Sequence, residues 1–80
     1  MIWRSNFPDV AIPEVPYSPF ILQHAAEWKD RPVFIDGPSG RTLTHGQVAG
    51  GARLVAASLS QRGFKKGDVL AIFLPNLPEY

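Results

Sequence analysis

Six consecutive residues, Val69-Leu70-Ala71-Ile72-Phe73-Leu74, are apolar with no polar position among them. A strand with one wet face alternates apolar and polar side chains. An unbroken apolar run of this length reads instead as a strand buried on both faces, the habit of parallel sheets covered by helices on either side. Asp68 precedes the run and Pro75 follows it, so it is bounded at strand length. It is far too short to cross a bilayer as a helix. Such a strand requires cover on two sides, and the rest of the sequence must be read for what could supply it.

The chain has 80 residues, which allows one small domain at most. A domain of that size buries about two-thirds of its unfolded surface. With 45% hydrophobic and 19% charged residues the composition is that of a globular chain, not a disordered one. The formal net charge of +1 says little about partners. The absence of cysteine excludes a disulfide framework, thiolate metal ligation and a cysteine nucleophile. The opening residues, Met1-Ile2-Trp3-Arg4-Ser5, lack the apolar stretch of a secretory signal, so a cytoplasmic setting is the default expectation.

Residues 1–17 read as an extended arm. Pro8, Pro13 and Pro16 each remove a backbone donor and turn the preceding residue away from helix, while Trp3, Phe7, Val10 and Ile12 are apolar enough to lie on a protein surface. A first helix is expected to start at Ser18 as N-cap with Pro19 in the first helical position. Ile21, Leu22, Ala25, Ala26 and Trp28 carry it at helical spacing until Asp30-Arg31-Pro32. Val33–Asp36 and Arg41–Leu43 read as two short strands around the turn residues Gly37-Pro38-Ser39-Gly40, a hairpin.

The second helix has the firmest signals. Thr44 and Gln47 stand in capping-box spacing. Val48, Ala52, Val55 and Leu59 share one face, expected to pack on the sheet. Gly63 suits the left-handed position after the last turn, with Phe64 folding back on Leu59. After the turn Lys65-Lys66-Gly67-Asp68 comes the apolar run, and Asn76 with Glu79 has the spacing of a third helix start.

The sequence of helix, hairpin, helix, buried strand and helix start is the opening of an α/β domain whose other strands are absent. Two helices and a hairpin give a doubly buried strand little cover. Leu54, opposite the main stripe at about 100° per residue, would face water in an isolated domain. The expectation is therefore an incomplete α/β fold, with residues 18–80 as its start. The alternative is a complete mini-domain with one exposed leucine.

Candidate chemistry is sparse. His24 and His45 are the only histidines, and no HExxH or similar pair of ligands exists, so both are read as ordinary helix residues. Gly37-Pro38-Ser39-Gly40 lacks the spacing of a phosphate loop, and Pro38 has no N–H to donate. Gly46, Gly50 and Gly51 lie inside a helix instead of on a preceding turn, unlike a dinucleotide fingerprint. The basic residues Arg41, Arg53, Arg62, Lys65 and Lys66 are dispersed without interleaved aromatics, which is a solvated face and not a nucleic-acid footprint. Asp36 and Asp68 fit turns, and Ser18 and Ser39 have no neighbouring base to activate them. No catalytic, cofactor-binding or metal-binding residue is assigned.

Several ordered segments carry a resemblance. Ile2-Trp3-Arg4-Ser5 with Pro8-Asp9-Val10, Phe34-Ile35-Asp36-Gly37, Thr42-Leu43-Thr44, Arg62-Gly63-Phe64-Lys65-Lys66-Gly67-Asp68-Val69 and Leu74-Pro75-Asn76-Leu77-Pro78-Glu79-Tyr80 span essentially the whole chain. In this order they resemble the amino terminus of 4-coumarate–CoA ligase-like proteins, within the AMP-binding, acyl-adenylate-forming superfamily. One departure is His45, where that family usually carries tyrosine.

The resemblance implies that the chain is the N-terminal portion of the large domain of an acid–thiol ligase. A carboxylate would attack the α-phosphate of ATP to give an acyl-adenylate and pyrophosphate, and coenzyme A would then displace AMP as the thioester forms. It implies ATP, Mg²⁺, coenzyme A and a small carboxylic acid for the parent enzyme, with the remainder of its own domain as the chain's partner, and neither nucleic acid nor a membrane span. The phosphate-cradling loop, the magnesium-binding carboxylate, the ribose-binding Asp and the catalytic Lys would lie beyond residue 80. A rival of another class is a standalone interaction module that binds a protein through an exposed apolar face.

Overall fold

The long helix forms where the local signals are strongest. In a computed structural model describing residues 1–80, four elements follow in order: α1 (Tyr17–Ile21), β1 (Pro32–Ile35), β2 (Thr42–Thr44) and α2 (His45–Gln61). The Thr44 hydroxyl accepts from the Gln47 N–H at 3.2 Å while the Gln47 side chain accepts from the Thr44 N–H at 2.9 Å. These reciprocal bonds satisfy two donors that a helix start leaves open. At the other end Phe64 N–H reaches the Leu59 carbonyl and Gly63 N–H the Ser60 carbonyl, both at 3.0 Å, with Gly63 at φ +86°. This is the paired Schellman closure, and it requires a residue that tolerates positive φ.

β1 and β2 form an antiparallel hairpin with Phe34 opposite Leu43 and Ile35 opposite Thr42; the register slips between Pro32 and Phe34. Asp36 anchors the turn. Its carboxylate accepts from the Ser39 N–H at 3.2 Å and from the Ser39 hydroxyl, and its carbonyl accepts from the Gly40 N–H at 2.8 Å. Asp68 does the same for the later turn, accepting from the Lys65 N–H at 2.8 Å. Both aspartates are turn residues, as their positions in the sequence imply.

Three expected elements differ. The first helix stops after five residues and continues to Asp30 as irregular turns. Pro16, not Ser18, holds the N-cap position, and no side chain caps the helix. Phe20 and Ile21 are exposed, and helices this short are marginal without a packed face. Most of the following bonds tighten to i+3, as from Ala25 N–H to the Leu22 carbonyl at 3.0 Å.

Val69–Leu74 is not a strand. The only sheet is the β1–β2 pair, and no backbone hydrogen bond ties residues 69–76 to any other part of the chain. All six side chains are exposed, Phe73 completely. A strand is held by ladder partners, and neither β1 nor β2 supplies one. Nor does a third helix begin at Asn76; the segment makes one turn, with Tyr80 N–H on the Leu77 carbonyl at 3.0 Å.

Burial is correspondingly slight. Ala25 and Ala49 alone are fully buried. The radius of gyration is 17.0 Å, against about 12 Å for a compact domain of this length. The accessible surface of 7768 Å² compares with about 4800 Å² for a folded monomer of this mass. Residues 1–16 contain no helix or strand and are exposed throughout, and no helix is long and apolar enough to cross a membrane.

Candidate functional site

Two opposite faces of α2 organise the molecule. On one, Gly46 and Ala49 meet the segment that follows α1. Gly46 donates its N–H to the Lys29 carbonyl and His45 donates to the Arg31 carbonyl, each at 3.0 Å, so two open donors at the start of α2 are satisfied by backbone from the first segment. Ala25 and Ala49 line a hollow of about 270 Å³ there, together with Leu22 and Arg53.

On the other face lies an open groove of about 920 Å³. Its floor is the predicted stripe Val48, Ala52, Val55 and Leu59. Phe34 and Leu43 of the hairpin form one wall, and Pro78, Glu79 and Tyr80 form another. The stripe was expected to pack directly on a sheet; it faces this groove instead, and Val55 remains 58% exposed. The hairpin has two strands and α2 contacts β2, so no broad sheet surface exists for the stripe to close upon. Leu54, on the far side, is 74% exposed, in accord with its place opposite the stripe.

The groove's polar feature is an ion pair. Both terminal guanidinium nitrogens of Arg41, Nη1 and Nη2, donate to the Glu79 carboxylate, Nη2 at 2.9 Å. The hydrogen bond from Arg41, more than its charge, holds the Glu79 carboxyl below the usual carboxylate range. Arg41 is shifted upward by the same bond, with a smaller contribution from Asp36. Both side chains are about half exposed. Sequence reading placed Arg41 on a solvated basic face; the structure pairs it. Arg53 lines the hollow on the other side of α2.

The two histidines come together around Trp28. His24 stacks on the indole with ring centres 4.7 Å apart, and His45 meets it edge-on at 5.6 Å. The Arg31 guanidinium lies 5.9 Å from the ring centre, and His24 Nδ1 is 3.3 Å from Glu27 Oε2. His45 thus makes an aromatic contact at the position where the resembling family has tyrosine. Only the i, i+4 spacing of His24 and Trp28 hinted at this cluster.

Chemically the groove is apolar, and its one carboxylate is engaged by Arg41. No three His, Cys, Asp or Glu side chains stand together as metal ligands. Ser39 bonds to Asp36 and the Arg41 N–H within its own turn. The arrangement can bury apolar surface, and it offers no nucleophile–base pair.

The profile of the AMP-binding enzyme family matches residues 21–80. The chain is 39% identical over 80 residues to 4-coumarate–CoA ligase CCL1 of Humulus lupulus, covering 99% of this chain and 15% of that protein. It is likewise 39% identical over 80 residues to 4-coumarate–CoA ligase 5 of Oryza sativa subsp. japonica, with the same coverage. Probable 4-coumarate–CoA ligase 1 of Dictyostelium discoideum is 40% identical over 78 residues, 98% of this chain and 14% of that one. The chain therefore spans about 15% of the length of these curated relatives. No solved structure matches it.

Proposed function

This chain belongs to the AMP-binding enzyme family, and from that membership we propose that residues 1–80 are the N-terminal structural segment of an ATP-dependent acyl-CoA ligase of the 4-coumarate–CoA ligase type. Residues 1–17 are its extended arm and 18–80 the start of its large domain. The parent adenylates a small carboxylic acid with ATP, releasing pyrophosphate, and transfers the acyl group to the thiol of coenzyme A, releasing AMP. Mg²⁺ accompanies the ATP. The segment's own work is structural: it builds one edge of the domain and contributes apolar surface to it.

The observation that carries this reading is the unmet apolar surface. The stripe of α2 lines an open groove, and Val69–Leu74 lies exposed and unpaired. At about 25 cal/mol per Å² of apolar area, surface of this kind gains stability when further chain covers it. The groove is lined mainly by aliphatic and aromatic side chains and its carboxylate is held by Arg41, which supports a structural role for the segment. On this reading the groups that bind ATP, Mg²⁺ and coenzyme A lie in other parts of the parent.

The test is an ATP–pyrophosphate exchange assay on the isolated 80-residue chain, together with an ATP titration. The expected result is neither exchange nor binding. Carboxylate-dependent exchange by the chain alone would overturn the assignment of a purely structural role.

A further inference from the structure

We draw no further inference here: the strongest candidate, the open apolar groove floored by Val48, Ala52, Val55 and Leu59 of α2 and walled by Phe34 and Leu43 of the hairpin, carries none because nothing in the structure shows what covers it.

Discussion

Gly46 and Lys29 meet backbone to backbone: the Gly46 N–H donates to the Lys29 carbonyl at 3.0 Å, and a Cβ on Gly46 would stand 3.0 Å from that same oxygen and 3.1 Å from Lys29 Cβ. The approach explains one glycine of α2 and separates it from its neighbours, since a Cβ at Gly50 or Gly51 would meet nothing within 4 Å. Alanine should therefore have opposite effects along one helix. Gly50→Ala and Gly51→Ala should each stabilise α2 by about 0.5–1 kcal/mol through helix propensity. Gly46→Ala should destabilise by about 1 kcal/mol, because crowding against a backbone oxygen exceeds the propensity gain near a helix start. Thermal melts followed by circular dichroism give the three signs; a stabilised Gly46→Ala would contradict the close approach.

The edge contact between His45 and Trp28 predicts that the ring, not the imidazole nitrogens, is what the site uses. His45→Tyr should keep stability within about 0.5 kcal/mol, while His45→Ala should lose about 0.5–1.5 kcal/mol, the usual worth of an aromatic pair. Proton chemical shifts of the Trp28 ring provide the readout. They should move strongly in the alanine variant and little in the tyrosine variant.

The Arg41–Glu79 pair sets a pH dependence whose sign follows from its shifts. The Glu79 carboxyl titrates below its ordinary range because Arg41 hydrogen-bonds the charged form. It therefore favours the folded arrangement at pH above the ordinary carboxylate range, and that contribution is lost as pH falls through its lowered value. Arg41 is shifted upward and stays charged through neutrality, so it adds no loss there. A carbon-13 titration of the Glu79 carboxyl should show a depressed midpoint, and Arg41→Gln should return it upward. An identical midpoint in the two proteins would mean that the pair does not persist in solution.

Val55 offers a comparison between the chain alone and the chain within a larger protein. It is 58% exposed on the groove floor, so Val55→Asp in the 80-residue chain should change stability by no more than about 0.5 kcal/mol, as is usual for a surface site. Inside a parent whose further residues cover the groove, the same change buries a charge and should cost several kcal/mol. Urea titrations of both proteins measure the difference. Equal small effects would show that the groove stays open in the parent.

How far the fold could be read from sequence follows the range of the interactions concerned. Thr44, Gln47, Gly63 and Phe64 specify the ends of α2 through bonds within a few residues, and Asp36 and Asp68 define turns in the same local way. The spacing of Ile21, Leu22, Ala25 and Trp28 also promised a helix, but spacing describes which side chains share a face and not whether anything packs on it. With Phe20 and Ile21 exposed, α1 ends early. Val69–Leu74 has the composition of a buried strand, yet a strand exists only through partners, and none within the chain pairs with it. Arg41–Glu79 and the edge contact of His45 with Trp28 depend on side chains brought together by the tertiary arrangement, for which no periodicity gives notice.

The central claim is that these residues serve as the N-terminal segment of an AMP-binding ligase, and a chimera tests it most directly. Residues 1–80 should replace the matching N-terminal segment of the Humulus lupulus 4-coumarate–CoA ligase, to which they align over 80 residues. Formation of the coenzyme A thioester from 4-coumarate is then measured beside the unmodified ligase. The account predicts a soluble chimera that forms the thioester. A chimera that is insoluble or inactive, while the unmodified ligase works under the same conditions, would contradict it.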